Sequence, residues 1–182
     1  IISNIEGRYP SSRSGVVRET RNGIYGGHDG NTTPDTHTRI IDSKGMFLTG
    51  NITSRSPLGT DRIRAFQQTI IIVDGDLYIS KDVTKIDAWL IVKGKIVTCA
   101  TEQRENSAIV NNNNCGKTLQ VNGPIIANNL KSWRTGGSEF SNPGSPSETY
   151  NQRADVYLWA YAQGTSSNKV VTTYTKEIPV RY

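Results

Sequence analysis

A glycine-centred pattern that occurs four times constrains this chain more than any other feature. The copies are Phe47-Leu-Thr-Gly-Asn-Ile-Thr-Ser54, Ile72-Val-Asp-Gly-Asp-Leu-Tyr-Ile79, Ile91-Val-Lys-Gly-Lys-Ile-Val-Thr98 and Gln120-Val-Asn-Gly-Pro-Ile-Ile-Ala127. Each sets an apolar residue, a spacer, a glycine, a spacer and a second apolar residue in order. The glycines Gly50, Gly75, Gly94 and Gly123 are 25, 19 and 29 residues apart. Internal repetition implies one supersecondary unit stacked on itself. Steps near this length, each with two short strands, predict a right-handed parallel β-solenoid (β-helix) whose strands pair with those of neighbouring coils. The four glycines are its expected corners, where positive φ or close backbone approach excludes a side chain. The rival is an antiparallel array, because Asp74-Gly75 and Asn122-Gly123 also suit type I′ hairpins. Thr49-Gly50, Lys93-Gly94 and the Pro124 that follows Gly123 suit them poorly.

The 182 residues are read as one domain. Residues 1–38 read as an irregular opening coil or strap, residues 39–130 as the solenoid coils, and residues 131–182 as a polar excursion, a capping segment and a terminal edge strand. Asn151 and Gly164 bracket an apolar run that predicts a short capping helix over residues 151–163. The run Val170-Val-Thr-Thr-Tyr-Thr175 is β-type, and Val170, Val171 and Tyr174 are the candidate assembly strand.

Hydrophobic residues make up 35% of the chain and Gly contributes 17 residues, a mix that favours turn-rich β-structure. The net charge is +5, but no four basic residues adjoin, so nucleic acid is not an expected partner. No apolar stretch reaches 18 residues, so no membrane span is expected. The chain starts at Ile1 rather than Met, which reads as a processed product or a fragment. Cys99 and Cys115 flank the polar loop of residues 100–114. A disulfide at the loop base is expected, and with it an oxidising, extracellular or cell-surface location.

Three groups of side chains could carry chemistry. His28-Asp29 with Asp35 and His37 offers zinc-type ligands, but the spacing matches no standard site and a solvated loop explains it. Asp74-Gly-Asp76 could hold calcium or, with Asp87, supply paired acids, although Asp-Gly-Asp is also ordinary turn chemistry. Trp133, Tyr150, Tyr157, Trp159 and Tyr161 could form a sugar-stacking platform, or simply pack an end cap. No Gly-x-Ser-x-Gly, phosphate loop or His-Glu-x-x-His occurs. No catalytic residue, cofactor or metal is therefore assigned.

A set of motifs resembles a known group. Leu119-Gln-Val-Asn-Gly-Pro-Ile-Ile-Ala-Asn128, Arg134-Thr-Gly-Gly137, Glu148 to Ala162 and Tyr174-Thr-Lys-Glu-Ile-Pro-Val-Arg-Tyr182 run in an order similar to the carboxy-terminal region of large, mostly uncharacterised exported proteins of candidate-phyla bacteria such as the Saccharibacteria. The resemblance covers about the last 110 residues and implies an envelope-attached, extracellular location. It implies no activity. The expected function is a structural or interaction protein, either a segment of a surface adhesin or a filament-forming subunit. Its partners would be itself, other envelope proteins or surface polysaccharide. The alternative is a carbohydrate-binding or carbohydrate-active module, for which two carboxylates facing each other across a groove are required.

Overall fold

The structure is a computed structural model that describes residues 15–32, 38–55, 67–136, 146–153 and 155–156. Its strands are β1 (Val16–Thr20), β2 (Gly23–Tyr25), β3 (His28–Asp29), β4 (Thr38–Ser43), β5 (Met46–Leu48), β6 (Ile52–Thr53), β7 (Gln68–Val73), β8 (Leu77–Ser80), β9 (Lys85–Ile86), β10 (Trp89–Ala100), β11 (Leu119–Asn122), β12 (Ile125–Lys131) and β13 (Glu148–Asn151). They form an eight-stranded sheet, ordered β1-β4-β7-β10-β8-β5-β2 with β12 also on β10, and a five-stranded sheet, ordered β13-β11-β9-β6-β3. Every ladder among the described residues is parallel, which excludes the antiparallel hairpin array.

The expected right-handed solenoid with a C-terminal capping helix is corrected. The protein is mainly β, with parallel sheets of eight and five strands, one of them curled into a half-barrel. The physical reason lies at Gly94. The repeat glycine was expected to separate two strands, yet it sits inside the single 12-residue strand β10. The first half of β10 pairs with β7 and the second with β8. Both halves thereby join one sheet, which bends at the glycine. Leu90 and Val92 before the bend and Ile96 after it share one core cluster.

The capping helix has little in the described residues to stand on. Residues 148–151 are a strand, and of the apolar run only Asp155 and Val156 are described, both of them helical. Those few residues lie along the side of the sheets. Arg153 Nη1 donates to Ser54 Oγ at 2.8 Å, beyond β6, and Gln68 Nε2 of β7 donates to Asp155 Oδ2 at 3.2 Å. The stretch Gly15–Thr32, within the segment read as an opening coil or strap, contributes three strands to the two sheets.

Register explains the core. In parallel pairing, residues at the same register point the same way, so one apolar choice repeats from strand to strand. Ile41, Ile71 and Leu90 form one inward row, Met46, Leu77 and Ile96 a second, and Ile52, Ile86 and Val121 a third. Each of these nine is at most 1% exposed. Burying a side chain of this size contributes about 1.5–3 kcal/mol, so the rows dominate stability. The outer face of the larger sheet is also buried in part. Ile40, Ile70, Ile72 and Ile91 form a separate cluster, exposed by no more than 5%. This explains why β7 is continuously apolar from Ile70 to Val73: it is covered on both faces.

Candidate functional site

The four repeat glycines are sites of close backbone approach. A Cβ on Gly50 would stand 2.9 Å from the Gly26 carbonyl carbon, and one on Gly75 would stand 3.2 Å from that of Lys44. At Gly94 the obstacle is Gly75 O, 2.7 Å away, and the Asp76 carboxylate. Gly123 alone among them combines crowding with a left-handed φ of 151°.

The turn acids do not form a pair for acid–base work. Asp74 accepts from Lys93 Nζ at 2.7 Å, and this bond holds its carboxyl below the usual range. Asp76 turns to the backbone N–H of Lys95 at 3.0 Å and to the Tyr78 hydroxyl at 3.2 Å. Asp87 is buried and accepts from Ser54 N and Asn122 Nδ2 at 3.0 and 2.6 Å. Asn151 Nδ2 continues this ladder to Asn122 Oδ1 at 2.9 Å. A glycosidase acid needs a carboxyl raised toward neutrality. The carboxyls that their surroundings displace, Glu19, Asp29, Asp74, Asp82 and Glu105, are all displaced downward.

His28 is not a surface ligand. Its Nδ1 shares a hydrogen bond with Tyr25 Oη at 2.7 Å, and its Nε2 one with Thr69 Oγ1 at 3.0 Å. Burial lowers its pKa to about 4 and raises that of Tyr25 to about 12. With both ring nitrogens occupied, no lone pair is left for a metal. Asp29 holds a local turn instead, accepting from Asn31 N at 3.0 Å and Thr53 Oγ1 at 2.8 Å. Asp35 and His37 lie outside the described residues. No group of three or more His, Cys, Asp or Glu suited to a metal occurs among the described residues.

Cys99 and Cys115 are at disulfide distance, 2.07 Å between sulfurs, and both are fully buried. The loop that they tether is folded across the outer face of the larger sheet. Glu105 pairs with Lys95 at 2.7 Å and with Lys131, and the Lys131 bond is the main cause of its lowered pKa. Gln103 lies over Gly45, whose Cβ would be 3.4 Å from Gln103 Nε2. Beneath the loop, Phe47, Tyr78 and Val97 are at most 8% exposed. Trp133 packs against this cluster, with Lys131 Nζ 5.8 Å from its ring centroid. Trp133 is thus an anchor of the covered face. Tyr157, Trp159 and Tyr161, and likewise Val170, Val171 and Tyr174, lie outside the described residues.

Sequence reasoning missed Arg134, the most heavily bonded side chain here. It is 6% exposed. Its guanidinium donates to the carbonyls of Thr98 (2.6 Å), Lys81 (2.7 Å), Ser80 (2.7 Å) and Val83 (2.9 Å). Burial lowers its pKa to about 10, so it stays charged at neutral pH. Its backbone N–H reaches Glu148 Oε1 at 3.0 Å, and Thr98 Oγ1 donates to the same oxygen. The signal available beforehand was the Arg134-Thr-Gly-Gly137 motif, and it names no partner.

The described surface is apolar in a patterned way. Its exposed large hydrophobic residues are Val17, Ile24, Ile126, Leu130 and Tyr150. They lie on β1, β2, β12, β12 and β13, the first and last strands of the two sheets. The strands between them expose none. No described helix is long and apolar enough to cross a membrane. Comparison with protein families, curated proteins and solved structures yields no match.

Proposed function

We propose that this chain is an extracellular structural or interaction protein, a segment of a surface adhesin or an assembling subunit, that works through the outer strands of its sheets. The observation that carries this reading is the confinement of exposed large hydrophobic residues to β1, β2, β12 and β13. An outer strand offers unpaired N–H and C=O groups, and an apolar row beside them makes it a docking surface. The cysteine pair at bonding distance supports an oxidising compartment. The lowered carboxyls and the doubly bonded His28 favour this reading over hydrolytic chemistry.

Electron microscopy and envelope pull-down with the purified chain test the proposal. Assemblies, or particles retained on the envelope, are the expected result. Single particles that neither associate nor bind envelope would overturn it.

A further inference from the structure

We infer that the β12–β13 edge docks a second copy of this chain, with the same edge of each copy meeting across a twofold axis. This rests on the proposed interaction role and narrows it from open-ended assembly to a closed pair.

The two edges of the sheets differ in what their inward rows end on. Leu130 continues the row of Ile96 and Tyr150 that of Val121. Ile96 and Val121 are 1% exposed, whereas Leu130 and Tyr150 are 40% and 41% exposed. Ile125 continues the row of Leu90, and Ile126 extends the outer row of Ile91 at 47% exposure. The core therefore runs one layer further than its cover, over the 7-residue strand β12. At the other edge the row of Ile96 ends on Gly23, and the rows around it end in polar side chains. Glu19 occupies the row of Ile41, Tyr25 that of Leu48 and His28 that of Ile52. Glu19 is bound by Arg39 at 3.0 Å and Arg21 at 2.7 Å, while Tyr25 and His28 bond each other. Val17 and Ile24 do not change this. Val17 is in register with Arg39, and Ile24 lies on the outward row of Phe47.

This asymmetry decides the partner's orientation. Stacking head to tail in register would place Ile125 against Glu19 and its two arginines, Leu130 against Gly23 and Tyr150 against His28. It would strip water from charges and return little apolar burial. The surface with matching chemistry is the β12–β13 edge of another copy. An interface that uses one patch twice is isologous and closes as a dimer. The twofold reverses strand direction, so the outer side of β12 meets its copy antiparallel, a pairing that a sheet edge accepts.

Light scattering on the eluting intact chain, over a wide range of concentrations, reads the mass. A monomer–dimer equilibrium that never exceeds two copies is expected. Leu130→Lys and Ile126→Lys should each weaken it by roughly tenfold or more, and Ile24→Lys should leave it unchanged. Circular dichroism confirms that each variant folds. A gain-of-function variant guards against misfolding: Asn128→Cys, exposed mid-strand in β12, should cross-link two copies under mild oxidation, and Thr20→Cys on β1 should not. Open polymers sensitive to both Ile24→Lys and Leu130→Lys would overturn the twofold yet leave the interaction role standing. A dimer indifferent to Leu130→Lys and Ile126→Lys would overturn the edge assignment. A monomer at every concentration that still binds envelope would overturn the dimer alone. One that binds nothing would overturn both.

Discussion

The guanidinium of Arg134 donates to the carbonyl oxygen of Ser80, 54 residues earlier in the chain, at 2.7 Å. Ser80 ends β8, and the following turn supplies the carbonyls of Lys81 and Val83 to the same side chain. A planar five-donor fork can satisfy such a set, and an ammonium group has neither the reach nor the geometry.

Arg134→Ala should therefore destabilise the fold by about 3–5 kcal/mol, because several buried carbonyls lose their donor together. Arg134→Lys should recover only part of this loss. Urea denaturation of the three proteins checks the ranking. Equal midpoints would show that water replaces the guanidinium without cost.

Gly94→Val should cost about 3 kcal/mol, because any Cβ there meets the Gly75 carbonyl and the Asp76 carboxylate. Lys93→Thr loses only an exposed pair with Asp74 and should leave the melting temperature nearly unchanged. Thermal melts of the two variants side by side decide the matter.

Mass spectrometry after alkylation of the unreduced chain should find no free thiol at Cys99 or Cys115. Replacing both by Ala opens a loop whose ends are 16 positions apart. In the chain-entropy picture this should lower stability by about 3 kcal/mol. Limited proteolysis should then cut within residues 101–110, where Glu105 alone would be left to bind Lys95 and Lys131.

Stability should fall as pH drops from about 6.5 toward 4. In the folded protein His28 stays neutral down to about 4, while in the unfolded chain it takes up a proton near its ordinary value of 6.5. Between those values the unfolded state binds more protons, so acid favours unfolding. The loss should reach about 2–3 kcal/mol and largely vanish in His28→Gln. The lowered carboxyls of Glu19 and Glu105 add their own loss at lower pH, as acid protonates them. Denaturation midpoints at a series of pH values separate the contributions. A wild-type profile that is flat above pH 4.5 would contradict the role of His28.

The parallel pairing of Ile71–Val73 with Leu90–Val92 is legible in the sequence, because strands covered on both faces become continuous apolar runs. The glycine positions are legible too, since close backbone approach selects against any Cβ. The placement of Gly94 within one strand is not, because a glycine at a bend inside β10 has the same neighbours as one between two strands, where Gly50, Gly75 and Gly123 lie. Glu19 looks like a solvated charge until its register with Ile41 shows that it closes a core row. Arg134 is illegible for a different reason. Its partners are main-chain carbonyls, which every residue type supplies, so the binding set leaves no trace in composition. The lateral course of Arg153 and Asp155 was hidden in the same way, by an apolar run that fits an end cap as well as a flank.

The direction of the ladders has a mechanical consequence. Hydrogen bonds between adjacent strands run from β1 toward β12, so tension between the two edges loads successive ladders in series. Two-residue strands such as β6 and β9 would then be the first to yield. Arg134 binds β8, the turn after it and β10 at once, and Glu105 joins β10 to β12 through Lys95 and Lys131. These side chains work in parallel with the ladders, as rivets through a laminate. A chain held at its edges would therefore be toughest on the side of β8, β10 and β12, and would begin to peel on the side of β3, β6 and β9.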